Sequence, residues 1–293
     1  MYDFLLCSNY NNVEWVLVFD SWKPWLSVGI FAITHGNEPI WLRIIAKLNN
    51  DIACWNVQVL SWKIYCIAIS LETYKQYIQQ EDYLTYRFMD YNMNRIYKKK
   101  WISGYEYERF QLLLPIFDEL DVAIDIHSIA KDDHVMAISN KKYYNEAKAI
   151  FDAPYLLLHE DLGKMWSMIG YLLDQWKPAF GIECGNHLTE KSFEKWYKNI
   201  LSFLSYYGSI ARYLIIKSDV MQCFEFLEEI MPISEEFSYS RSYSHFEPIY
   251  KGEIFAHDRE KNYRNDYGYS VYIWLIGKKT KVWDWNWFLF CKV

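Results

Sequence analysis

The chain has 293 residues, 52% of them hydrophobic and 23% charged, with a formal net charge of −6. That length holds one large domain, or a large one with a small appendage, and the composition is that of a chain that buries a core rather than staying disordered. An acidic balance with no basic stripe beyond Lys98-Lys99-Lys100 excludes a general nucleic-acid binder, and no run of about 20 apolar residues is present to span a membrane.

In chain order, Glu14 to Phe19 and Val28 to Thr34 read as strands and Ile40 to Leu48 as a helix. The stretch from Ile52 to Ser70 is interrupted by polar residues and reads as two strands and a turn, Asn56 to Leu60 and Ile64 to Ile69. Tyr105 to Leu120 is a predicted helix, and Val122 to Ile126 a short apolar strand ending at His127. A strand–helix pair covers Val135 to Phe151, and Ala179 to Glu183 is another short strand. Phe193, Trp196, Tyr197, Ile200, Leu201 and Leu204 then recur at three- and four-residue steps, one buried helical face with Thr189 as its N-cap.

Alternating strands and helices predict an α/β fold with a central sheet flanked by helices. After about Leu214 the pattern turns β-rich (Tyr269 to Ile276, Val282 to Leu289, and a turn at Lys251-Gly252-Glu253). The predicted domains are therefore 1–213 and a small β-rich 214–293. Six scattered cysteines without a C-x-x-C pair imply reduced thiols in a cytoplasmic protein. The N-terminus has no basic region ahead of an apolar stretch, so no signal peptide is expected. Fourteen tryptophans against 11 glycines invert ordinary usage.

The chemistry concentrates in four strings. His35-Gly36-Asn37-Glu38 sits where a predicted strand gives way to a helix, and a histidine and a glutamate three apart on such a turn can share one metal ion. Asp125-Ile126-His127-Ser128 adds a third ligand at the end of another strand, with Asp125 placed to support it. Glu183 ends a further strand, where a carboxylate can move a proton between water and a leaving amine. Asp90-Tyr91-Asn92-Met93-Asn94-Arg95, with Arg87, supplies planar donors for a carboxylate and a carbonyl.

Together these strings resemble the succinylglutamate desuccinylase and aspartoacylase family, whose fold is related to the zinc carboxypeptidases. The matching strings are Thr34-His35-Gly36-Asn37-Glu38-Pro39, Asp90-x-Asn92-x-Asn94-Arg95, Asp125-Ile126-His127-Ser128 and Glu183-Cys184-Gly185, spread over about residues 28 to 188. The stretch around Pro248 to Ala256 is similar to the family's small β domain. The resemblance implies a single zinc held by His35, Glu38 and His127, with Glu183 as general acid/base. It further implies Arg87 at the scissile carbonyl and Asn94 and Arg95 at a substrate carboxylate. The Glu-Cys-Gly-x-His form adds His187 to the pocket lining.

Three places depart from the family pattern. No arginine occurs in Tyr171 to Lys177, where aspartoacylases have one, leaving Lys177 or Lys164 in its place. Trp41 stands where the family has glycine, just after the metal-binding turn, and Trp62 is similar ahead of a strand.

The function expected is therefore zinc-dependent hydrolysis of the amide of an N-acyl amino acid or similar small carboxylate. The expected partner is that small molecule, with neither nucleic acid nor membrane and with a homo-oligomer open. A carboxypeptidase-like peptidase shares the zinc and Asn-Arg arrangement, but the small β domain argues for small substrates. A catalytically degenerate protein that only binds ligand is the third reading, motivated by Trp41 and the missing arginine.

Overall fold

The computed structural model describes residues 8–60, 63–79, 87–99, 102–129, 135–160, 167–186, 189–215, 217, 220–230, 233–275 and 287–293. Two compact units result: residues 1–156 with 160–221, and residues 157–159 with 222–293.

The first unit opens with β1 (Asn9–Tyr10), β2 (Val13–Glu14), β3 (Val16–Asp20) and β4 (Ser27–Ala32), followed by α1 (Ile40–Ala53), β5 (Lys63–Ala68) and α2 (Leu71–Gln79). A single turn at Met93–Arg95 leads to α3 (Tyr105–Glu119), β6 (Val122–Ile129), β7 (Val135–Ser139) and α4 (Tyr144–Ile150). Strand β8 (Tyr155–Leu158) crosses the division between units, and α5 (Met168–Asp174), β9 (Ala179–Asn186) and α6 (Glu190–Tyr206) complete the unit. The sheet order is β7-β9-β6-β4-β5-β3. Strands β9, β6, β4 and β5 run parallel, and β7 and β3 are antiparallel to their neighbours.

The near-continuous apolar character of these parallel strands follows from burial on both faces. Phe31, Tyr65, Ile67 and Ala123 pack with Phe110, Leu113 and Phe117 of α3 and with Met168 and Leu172 of α5. Helix α1 buries Ile40, Trp41, Leu42, Ile44, Ile45 and Leu48. It is tied to α6 by Tyr197, whose hydroxyl donates to Asp51 at 2.5 Å, and by the Arg43 guanidinium, 4.2 Å from the Phe193 ring centre. Thr189 caps α6 as expected, accepting from the Ser192 N–H.

Three expectations change. Asn56 to Leu60 is not a strand; Val59 makes only an isolated bridge to Ile210. The reason lies in α1, which runs on to Ala53 and is closed by the N–H groups of Asn56 and Val57 bonding the Asp51 carbonyl. The segment terminates a helix instead of pairing. His127 is not a strand terminus either, because β6 continues to Ile129, and Glu183 likewise lies inside β9, directly paired with His127. Finally, α2, α5 and β10, which had no sequence counterpart, are present.

In the second unit, β10 (Gln222–Ile230), β16 (Trp287–Lys292), β15 (Val271–Leu275) and β12 (Glu247–Ile249) pair antiparallel in that order. A separate sheet joins β11 (Ser238–Tyr239), β13 (Ile254–Asp258) and β14 (Lys261–Arg264). Ile230, Phe237, Ile249, Phe255, Val271, Ile273 and Leu289 form its core. The Lys251-Gly252-Glu253 turn is present, with Gly252 at φ +78°. The predicted strand from Val282 lies outside the described residues as far as 286. Among the described residues no helix is long and apolar enough to cross a membrane.

Candidate metal centre

The sheet reverses its winding at β4, which has β5 on one side and β6 on the other, and such switch points leave a crevice beyond the carboxyl ends of parallel strands. The chain leaves β4 through Ile33, a β-branched residue at φ 48°, a left-handed conformation that costs strain. Its carbonyl accepts the Ser70 N–H at 2.9 Å, holding the bend. Gly36 follows, and only glycine fits there, because a Cβ would meet Thr73 Cγ2 at 2.5 Å and the Thr73 carbonyl carbon at 2.7 Å. This close approach of α2 holds the turn from His35 to Glu38.

The turn and β6 bring His35, Glu38 and His127 together, all three buried, with potential ligand atoms within 4.8 Å of one another. His35 Nδ1 lies 2.8 Å from Glu38 Oε1, and His127 Nδ1 lies 2.9 Å from Glu38 Oε2. The far ring nitrogens face acceptors: His35 Nε2 is 3.2 Å from Asn92 Oδ1, and His127 Nε2 is 2.9 Å from Asp125 Oδ2. Asp125 is itself fixed by the Thr34 hydroxyl, which donates to Oδ1 at 2.6 Å. Both Nδ1 atoms face the Glu38 carboxylate, and on neutral rings protonated at Nε2 their lone pairs would be free to ligate an ion. Two imidazole nitrogens and a carboxylate, each imidazole backed by an acceptor, fit a bound metal ion.

The electrostatics follow from burial and proximity. Burial and the Arg87 guanidinium push His35 down to about 4. Burial works against protonation of His127, but Asp125 and Glu38 on its two sides outweigh it and raise it well above the usual value. Burial also opposes the charge on Glu38 and Asp125, yet the neighbouring histidines hold both carboxyls down, Glu38 far below its usual range. Glu183, half-buried, is pushed up to about 7, chiefly by burial.

Arg87 stands against the ligand cluster, donating from NH1 to Glu38 Oε1 at 3.1 Å with NH2 3.0 Å from His35 Nε2. Asn94 is buried, its Nδ2 3.3 Å from His127 Nε2 and its Oδ1 accepting the Met168 N–H. Arg95 donates to the Asn94 carbonyl at 2.7 Å. Lys177 donates to the Asp118 carbonyl, and Cys184 is a buried thiol raised by burial. Trp41 is fully buried in α1. His187, Lys164 and Trp62 lie outside the described residues. Asn92 and Thr34, which orient His35 and Asp125, stand in the matching strings but carried no assigned role from sequence. An Asn two residues before a polar turn is the ordinary mark of a cap, and Asn92 does cap Asn94, so its second contact had no local signal.

Among solved structures, the fold is similar to the succinylglutamate desuccinylase of Vibrio parahaemolyticus, which is 15% identical, with 95% of this chain and 86% of that one covered and a TM-score of 0.73. The enzyme of the same name from Vibrio cholerae is 17% identical, with 94% and 85% covered and a TM-score of 0.74. Murine aminoacylase 3 is 16% identical, with 92% and 96% covered and a TM-score of 0.64. At such identities the likeness establishes the fold. No protein-family model matches the chain, and no curated protein matches it in sequence.

Proposed function

We propose that this protein is a zinc-dependent deacylase that hydrolyses the amide of an N-acyl amino acid or a similar small carboxylate in the cytoplasm. In this reading residues 1–213 carry the chemistry and 214–293 form a second, β-rich domain. The observation that carries it is the convergence of His35 Nδ1 and His127 Nδ1 on Glu38, each ring held from behind by Asn92 or Asp125. The fold shared with desuccinylases and an aminoacylase supports the reaction class.

His35, Glu38 and His127 would hold the ion. When bound, zinc supplies Lewis acidity and lowers the pKa of water at its open position. Glu183, paired with His127 across the β6–β9 ladder, takes the proton of the attacking water and returns it to the departing amine nitrogen. Arg87, already beside Glu38 and His35, offers its donors to the carbonyl oxygen as negative charge develops there. Asn94 and Arg95 orient the substrate carboxylate, and His187 lines the pocket.

Turnover of a panel of N-acetyl and N-succinyl amino acids, alongside short peptides, tests the reading. Glu183→Gln should lower kcat by at least about 100-fold, the usual worth of a positioned acid/base. Equal turnover by Glu183→Gln and wild type refutes the assigned proton carrier, and cleavage of peptides alone refutes the substrate class.

A further inference from the structure

The segment from Arg87 to Arg95 brings three side chains, Arg87, Asn92 and Asn94, against His35, Glu38 and His127, yet it contains one helical turn and no strand. Something outside it must fix its course. Glu106, in the first turn of α3 and fully buried, accepts three successive backbone N–H groups of that segment: Met89 at 2.7 Å, Asp90 at 3.0 Å and Tyr91 at 3.2 Å. The Thr73 hydroxyl adds a fourth bond at 3.3 Å. The clamp is reciprocal, since Asp90 Oδ2 accepts the Tyr105 N–H at 2.8 Å. Gly104 at φ +143° permits that approach, because a Cβ there would meet Asp90 Oδ2 at 2.7 Å.

We propose that Glu106 is a positioning residue for the metal centre, acting through the backbone of Met89–Tyr91. The pinned residues lie directly between Arg87 and Asn92. Arg87 bonds Glu38 and, through its carbonyl, the Gly36 N–H, while Asn92 and Asn94 face the far nitrogens of His35 and His127. A carboxylate suits the task because both oxygens only accept. An amide would point a donor at N–H groups that are already donors. The proposal rests on the metal-centre reading for its functional consequence, and on the hydrogen bonds alone for the clamp.

Hydrogen exchange and zinc titration together test it. In wild type the amides of Met89, Asp90 and Tyr91 should exchange slowly although Met89 and Asp90 have exposed side chains; fast exchange there in the untouched protein overturns the clamp. Glu106→Gln should speed exchange at those amides and raise the zinc dissociation constant about tenfold, the low end for groups supporting metal ligands. A merely structural glutamate would lower the thermal midpoint with local exchange and zinc affinity unchanged, and that result also overturns the proposal. Wild type that takes up no zinc contradicts the metal reading, and the exchange measurement still decides the clamp.

A different observation concerns tryptophan. Three helices end in the same six-residue closure, with the residue after the C-cap left-handed. In α6 that residue is Gly208, φ 69°, with Gly208 N–H bonding Ser205 O and Ser209 N–H bonding Leu204 O. In α1 it is Trp55, φ 63°, with Trp55 N–H on Ile52 O and Asn56 N–H on Asp51 O. In α5 it is Trp176, φ 63°, with Trp176 N–H on Leu173 O and Lys177 N–H on Leu172 O. Trp15 and Trp22 are also left-handed, at φ 59° each. Trp22, Trp55 and Trp176 are 87%, 85% and 78% exposed, so their indoles gain little burial in return for that backbone.

We infer that Trp15, Trp22, Trp55 and Trp176 occupy glycine positions, and that the protein made in its own cell carries glycine at them. One codon accounts for the exchange: UGA, a stop in the standard code, is read as tryptophan in some reassigned codes and as glycine in others. The excess of tryptophan over glycine in the chain then has one origin. The gene and the peptide masses of the native protein test this. UGA at these four codons, UGG at the buried helical Trp196, and native peptides with the mass of glycine support it. UGG at the four positions, or native peptides with the mass of tryptophan, overturn it.

Discussion

Replacing Trp55 by glycine should stabilise the protein, against the usual direction for losing a large side chain. A left-handed conformation costs an L-residue about 1–2 kcal/mol that glycine does not pay. Against this, glycine loses more backbone entropy on folding, about 0.5–1 kcal/mol. At 85% exposure the indole contributes little burial, and the closing bonds from Trp55 N–H and Asn56 N–H belong to the backbone and survive. The net is a gain of about 0.5–1 kcal/mol. Trp176 provides an internal contrast: Lys142 Nζ lies 4.8 Å from its ring centre. Losing an exposed cation–π contact of about 0.5–1 kcal/mol brings Trp176→Gly close to neutral. Gly208→Ala, at φ 69°, should lose about 1 kcal/mol for the converse reason. Urea unfolding followed by far-ultraviolet circular dichroism reads all three. A Trp55→Gly variant less stable than wild type would refute the reasoning.

Gly36→Ala should disrupt the turn that carries His35 and Glu38, since its methyl group would run into the Thr73 backbone; a loss of about 1–3 kcal/mol is expected for such overpacking, read by the same unfolding curve. Asp125→Asn should weaken zinc binding by about 10–100-fold, measured by competition with a chelator, because the Nε2–H of His127 loses its charged acceptor. Asp51 should contribute to acid stability. Burial opposes its charge, but the Tyr197 hydroxyl, Lys47 and Asn56 hold its carboxyl below the ordinary 3.8. With the folded value depressed, its contribution is complete above about pH 4 and fades as pH falls through the folded value. The stability gap between wild type and Asp51→Asn should therefore narrow below about pH 4, and a gap that widens there contradicts the assignment.

The parts of the fold legible in the sequence were those where periodicity and burial coincide. The apolar runs of β4, β5, β6 and β9 and the one-sided face of α6 announce themselves because each is buried continuously or at helical spacing. Helix α2 did not, because its buried residues are Leu71, Thr73, Tyr74 and Tyr77, two tyrosines and a threonine in place of aliphatic side chains. Asn56 to Leu60 misled because its alternation resembles a strand while its backbone is spent on closing α1. In the site, His35, Glu38 and His127 could be found from ligand chemistry and from the strings that surround them. The role of Glu106, and the contact that Asn92 makes with His35, could not. Asn92 meets His35 57 residues away, and Glu106 looks like an ordinary acid in a helix first turn until its three backbone partners are seen. Local pattern names the candidate ligands; the contacts that hold them in place are named only by the folded chain.

Zinc stoichiometry tests the central claim most directly. Protein exchanged against a chelator and reloaded with zinc should bind a single ion per chain by elemental analysis, and His127→Ala and Glu38→Ala should each lose it while keeping the wild-type circular dichroism spectrum. Zinc bound undiminished by both variants, or none bound by wild type, would contradict the assignment of His35, Glu38 and His127 as the metal centre.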